Sequence, residues 1–189
     1  MTPIRIGGSK VSAPSVIAID TNVVVGAFVD PNSACKPQAK GVIEWLTASN
    51  SVGVLVPRVV NELLHRHIVA AAKLGAKHDA SRRSLERPLH WNEFLKRRPQ
   101  IVETATGQFT TTLNSLNQIS IIAASPNSLV PYVPDSLEEI LVEICSKHHL
   151  DATDGEIISE VKRAGLDAIV SVDSDLLRAS TKSVRVFTW

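Results

Sequence analysis

Short, unbroken apolar runs alternate along this chain with longer stretches in which apolar residues recur every three to four positions. The runs at 15–19 (SVIAI), 51–56 (SVGVLV), 167–172 (DAIVSV) and 184–189 (VRVFTW) have the length and composition of strands. Residues 36–48 set Ala39, Val42, Ile43 and Leu46 at helical spacing. Pro57 suits the first turn of a helix that begins directly after a strand. That helix is predicted to end at Gly75, with Val60, Leu63, Leu64, Ile68 and Ala71 along one side. A further amphipathic helix is predicted over 136–148, with Leu137, Ile140, Leu141 and Ile144 facing inward. Thr153 and Glu156 then form a capping box that opens another. Strands alternating with helices predict an α/β fold with a mostly parallel central sheet and helices on both faces.

Two segments break this rhythm. Residues 1–14 carry paired glycines, two prolines and two serines and read as a flexible leader ahead of a single domain over 15–189. Residues 76–131 are the least regular part and read as a helical insertion over one side of the core, with 108–124 as a helix whose end is apolar.

Composition narrows the class without choosing a function. A chain of 189 residues, 44% hydrophobic and 21% charged, suffices for one substantial core, and a formal charge of +1 excludes a uniformly basic nucleic-acid binder. Cys35 and Cys145 have no metal-ligand spacing around them, so they form either a disulfide or, as a reducing cytosol favours, two buried free thiols. The N-terminus lacks the apolar run of a signal peptide, and no stretch is long enough for a membrane span. A soluble, cytoplasmic protein is expected.

The candidate chemistry lies at strand ends. The first strand delivers Asp20-Thr21-Asn22 at its carboxyl end, where ligands collect in open α/β sheets. Taken alone, Asp20 serves equally well as a helix N-cap. Asp173 also follows an apolar strand, Asp154 opens a helix, and Glu62 lies in the second turn of the helix after the second strand. With parallel strands these four carboxylates converge on one sheet edge. Their mutual repulsion calls for one or two divalent cations, and an all-oxygen donor set suits Mg²⁺ or Mn²⁺. Such cations support phosphoryl chemistry.

The segments IAIDTNVVV, PRVVNELL, HHLDATDGEIISEVKRAG and IVSVDSDL resemble, in order and wording, the PIN-domain nucleases. These are metal-dependent ribonucleases that include the toxins of type II toxin–antitoxin pairs. The resemblance covers 15–75 and 134–189. It implies that Asp20, Glu62, Asp154 and Asp173 hold the metal and carry catalysis, with Thr21, Asn22 and Ser171 in support. It further implies an endoribonuclease with an antitoxin partner, and dimerisation as in many members. The distance along the chain from Glu62 to Asp154 exceeds that of the compact toxins. Asp151 and Asp175 are additional acids beside the matched positions. Asp154 is preferred over Asp151 because the capping box places it on the helix, and Asp173 over Asp175 because it is nearer the strand end.

Blander and sharper readings compete elsewhere. Glu62 and His65 have the spacing of half a di-iron motif, but no second such pair occurs, so an ordinary helix surface is expected. His148 and His149 are expected at a solvated helix end. The basic stretch with Arg82, Arg83, Trp91, Arg97 and Arg98 reads equally as an RNA grip, backed by Arg58 and Arg66, or as a solvated helix whose Trp is core. A silent PIN-like module binding RNA or protein, and a DNA-cutting enzyme with the same metal site, are the alternatives. An aspartyl phosphatase would want an Asp where Asn22 stands.

Overall fold

A computed structural model describes residues 2–7, 11–30, 32–83, 87–125, 137–180 and 184–189, with side chains of 137–141 left aside. Among these, the strands are β1 (Ile4–Arg5), β2 (Val16–Ile19), β3 (Val52–Leu55), β4 (Ile121–Ala123), β5 (Ala168–Val170) and β6 (Arg185–Thr188). They form one sheet in the order β1-β6-β5-β2-β3-β4, and every pairing is parallel. The helices are α1 (Thr21–Val24), α2 (Lys36–Ala48), α3 (Pro57–Arg82), α4 (Trp91–Arg97), α5 (Ile101–Gln118), α6 (Leu137–His148) and α7 (Ala152–Arg163). A π-helical turn, Val25–Val29, continues α1.

Burial explains why the central strands are apolar throughout. Ile17, Ala18 and Ile19 in β2, and Ala168, Ile169 and Val170 in β5, are all fully buried. Successive strand residues point to opposite faces, so three in a row without exposure means that both faces are covered. The chain steps from β2 to β3 and β4 in one direction, then returns to β5 and moves to β6 in the other. Right-handed crossovers therefore put the intervening helices on opposite faces, and the reversal falls between β2 and β5.

Three expectations are corrected. The leader is not loose throughout: Ile4 and Arg5 pair with Phe187 and Thr188, and Ile6 is buried. A strand of two residues, Ile4 and Arg5, is too short for a sequence signal, and it forms as a partner to the edge that β6 offers. The segment 108–124 is not one helix, because α5 stops at Gln118 and Ile121–Ala123 turns into the sheet as β4, in register with Gly53–Leu55. The region 76–131 thus contributes a strand to the core sheet as well as helices over it. Finally, α3 does not end at Gly75 but runs to Arg82. A Cβ at Gly75 would lie 2.6 Å from Phe94, so this glycine admits α4 rather than stopping α3.

The buried side of α3 is Val59, Leu63, His67, Ala71, Ala72, Ala76 and Ala80, a stripe that includes a histidine absent from the periodicity reading. His67 is 5% exposed, meets Phe109 of α5 edge-on at 6.0 Å, and its Nε2 has no hydrogen-bond partner among the described residues. Burial pushes its pKa down, which keeps it neutral. Ile144 of α6 is buried as expected; the expected inward positions 137, 140 and 141 lie outside the described side chains. Cys35 and Cys145 are free thiols, partly rather than fully buried. No helix among the described residues is long and apolar enough to cross a membrane.

Candidate metal centre at the sheet reversal

The reversal between β2 and β5 aligns two carboxyl ends side by side. Ala18 and Ile19 are in register with Ile169 and Val170, and the Asp20 amide continues the ladder by donating to the Val170 carbonyl at 3.0 Å. Asp20 stands at the N-cap position of α1, yet its side chain makes no capping bond. Its Oδ2 instead accepts from the Ser171 hydroxyl at 2.6 Å, joining the first residue beyond β2 to the first beyond β5. The capping reading of Asp20 is thereby excluded.

The neighbouring side chains form a connected set. Ser171 Oγ, while donating to Asp20, accepts from the Asp173 amide at 2.9 Å. Asn22 Nδ2 donates to Asp173 Oδ2 at 2.9 Å, and the Asp175 amide donates to Asp173 Oδ1 at 2.8 Å. Thr21, itself buried, donates through Oγ1 to Glu62 Oε2 at 2.9 Å. Arg66, one turn further along α3, donates to Glu62 Oε1 at 3.2 Å. Pro57 makes this possible: with no N–H to satisfy, it lets α3 start at the end of β3 and brings Glu62 up beside α1.

The electrostatics show how the acids bear on one another. Burial, first of all, pushes the Asp20 carboxyl up to about 7. The Ser171 hydrogen bond opposes that shift, while the charges of Glu62, Asp173 and Asp154 add to it. Asp154 is pushed up to about 6 by burial and then by Asp151, Asp173, Asp175 and Glu62. Asp20 and Asp154 thus each feel both other acids of the expected set.

The flanking positions take other roles. Asp151, not Thr153, caps α7: its Oδ1 accepts from the Asp154 amide at 2.9 Å. The expected capping box does not form, because α7 starts at Ala152 and Thr153 and Glu156 both lie inside it, where they meet Arg58. Its Nη2 donates to Thr153 Oγ1 at 3.1 Å, and its Nε lies 3.2 Å from Glu156. The Arg58 amide also donates to Glu160 at 2.6 Å. Arg58 therefore locks α3 to α7 and holds Asp154 opposite Glu62, an arrangement that no spacing in the sequence signals. Asp154 nevertheless lies in the first turn of α7, as expected. Asp175 pairs with Arg178 at 2.7 Å on the surface. His149 is exposed, as a solvated helix end requires, and His148 is partly buried.

The basic stretch lies elsewhere. Arg83, Arg97 and Arg98 line a cleft of about 210 Å³ with Asp79, Leu89 and Phe94. Asp79 follows Glu62 along α3 by about 25 Å at 1.5 Å per residue. Arg82 is exposed at the end of α3. Trp91 is partly buried and packs edge-on against the ring of His65, an exposed residue, at 6.0 Å.

No family model matches the chain, and no curated protein sequence does. Whether the site suits a divalent cation is therefore judged on its donors. Asp20, Glu62, Asp154 and Asp173 are hard oxygen donors, and among the described residues Arg66 is the one cation bonded to any of the four. Burial first, and the neighbouring acids after it, raise the Asp20 and Asp154 carboxyls, and a divalent cation would favour their ionised forms. Among the described residues, no three acids are gathered at a common ligand distance. The donor chemistry, four carboxylates with no sulfur or imidazole among them, fits Mg²⁺ or Mn²⁺.

Proposed function

We propose that the chain is a metal-dependent endoribonuclease of the PIN type, acting in the cytoplasm. The observation carrying this reading is the Asp20 carboxyl at the sheet reversal, bonded to Ser171 and raised first by burial and then by the charges of Glu62, Asp173 and Asp154. Asp20, Glu62, Asp154 and Asp173 would hold one or two Mg²⁺ or Mn²⁺ ions. When bound, such an ion supplies Lewis acidity for phosphodiester hydrolysis and offsets charge on the departing oxygen.

The chain's own residues supply position and polarity. Ser171 fixes the Asp20 carboxylate through Oδ2 and leaves Oδ1 free to ligate. Asn22 and the Asp175 amide orient the two oxygens of Asp173. Thr21 and Arg66 divide Glu62 in the same way, so a phosphate entering the site meets Arg66 as a mobile counter-charge. An antitoxin partner and a homodimer belong to this proposal through the family resemblance alone.

The test pairs binding with turnover. Mn²⁺ titrated calorimetrically should bind the wild type and lose at least ~100-fold in affinity in Asp20→Asn, with cleavage of single-stranded RNA abolished by that variant and by EDTA. Robust RNA cleavage by Asp20→Asn would sink the assignment. Cutting of DNA but not RNA would keep the metal site and change the substrate. One feature favours a second reading, a PIN-like module that binds without turnover: Glu62, Asp20 and Asp173 already have partners in Thr21, Ser171 and Asn22, a network complete without a cation. Undetectable Mn²⁺ binding would select it.

A further inference from the structure

Arg66 belongs to two places. It bonds Glu62 at the acidic site and also lines a groove of about 460 Å³ between the π-helical turn Val25–Val29 and α3. The groove floor is apolar, formed by Val25, Val29, Val69 and Leu74. Its basic members are Arg66, Lys73 and Lys77, set against the single acid Asp30. Offsets of seven and eleven residues bring Lys73 and Lys77 back to the helix face of Arg66, at rises of about 10 and 16 Å. The three cations therefore form a line leading away from Glu62 along α3.

Two features mark this line as a site for an anion chain. Lys73 and Lys77 are exposed, stand one turn apart and repel, and neither has an ion-pair partner among the described residues. Leu74 lies between them along the helix at 58% exposure, so an apolar side chain stands open to solvent beside the two cations. A ribbon that is anionic on one side and flat and apolar on the other matches both.

We propose that this groove is the track along which single-stranded RNA enters the acidic site, with Arg66, Lys73 and Lys77 on successive phosphates and bases lying against Val69 and Leu74. The proposal rests on the nuclease reading of the acidic site and names how its substrate is held. Single strands fit because their unstacked bases are free to turn toward an apolar surface, whereas the base faces of a duplex stay stacked on one another. Arg66 at the junction then passes from Glu62 to the phosphate nearest the acids.

Binding separated from cleavage provides the test. Fluorescence anisotropy of a labelled oligouridine in EDTA should show salt-dependent binding to the full chain. Lys73→Glu/Lys77→Glu should weaken that binding at least tenfold and lower the magnitude of the log–log salt slope by about 1.4, the value for two lost contacts on a single strand. The milder Lys73→Gln/Lys77→Gln, checked for native circular dichroism, should act in the same direction. Mn²⁺ affinity should be unchanged in both. Equal affinity and slope in the variants, no oligouridine binding by the wild type at low salt, or tighter binding of an acidic peptide than of oligouridine would each overturn the track. None of these outcomes bears on Asp20→Asn, whose Mn²⁺ titration and cleavage assay judge the acidic site separately.

Discussion

The two ends of α3 carry the same local device in opposite settings. Near its start Glu62 pairs with Arg66, and near its end Asp79 pairs with Arg83, each acid four residues before its arginine and each contact 3.2 Å. At the start, Glu62 also accepts from buried Thr21, and its charge adds to the burial that raises Asp20 and Asp154. At the end, Asp79 faces a cleft lined by Arg97, Arg98 and Phe94. An acid–arginine pair at helical spacing is thus worth little as a functional signal, since a solvated pair contributes only about 0.3–0.5 kcal/mol. What distinguishes Glu62 is β2 arriving beside β5, an event of topology.

The largest expected effect concerns charge at the first of these ends. Asp20 has its folded pKa raised from 3.8 to about 7, so between these values the folded chain holds a proton that the unfolded chain has released. Stability from this group is fully present below pH 4 and declines as pH rises toward 7, by on the order of 4 kcal/mol. His67, buried neutral with a lowered pKa, acts oppositely, losing stability as pH falls below its unfolded value. The difference between wild type and Asp20→Asn isolates the first effect. Chemical denaturation should show the metal-free variant gaining stability over wild type as pH goes from 4 to 7, and a flat difference would remove the charge conflict from the site.

Next in size is a direct contest between the two pairs. Glu62→Gln retains an acceptor for Thr21 but removes the charge, and should cost about 10–100-fold in Mn²⁺ affinity and cleavage. Asp79→Asn should change neither, and should alter stability by less than about 1 kcal/mol. Equal losses in the two would erase the distinction between the ends of α3. The smallest effect sharpens the distal side: Gly75→Ala sets a Cβ against the Phe94 ring and should cost about 1–3 kcal/mol in thermal unfolding with Mn²⁺ affinity intact.

Much of the fold was legible because the central strands are buried on both faces and so read as apolar runs. The edge strands were not. Ile4–Arg5 has too few residues to carry a pattern, and Ile121–Ala123 follows a helix with apolar residues of its own, so the boundary is invisible to periodicity. The positions of Asp20, Glu62 and Asp173 at one sheet edge were legible because strand ends and helix starts can be located from sequence. The roles of Arg58, Thr153 and Glu156 could not be, since α3 and α7 are about a hundred residues apart and only their packing turns a capping box into an ion-pair lock. The groove beside Arg66 has no sequence signature, because Val25, Val29 and Leu74 look like core until burial is known.

The double duty of the Ser171 hydroxyl also fixes where a proton can reside. Its hydrogen points at Oδ2 of Asp20 and a lone pair receives the Asp173 amide, so a protonated Oδ2 would strand the serine hydrogen in a buried place. When Asp20 takes up a proton near neutrality, the proton must sit on Oδ1. That outward oxygen alternates between hydrogen-bond donor and bare acceptor while its inward twin never changes, giving the reversal of the sheet a one-sided acid.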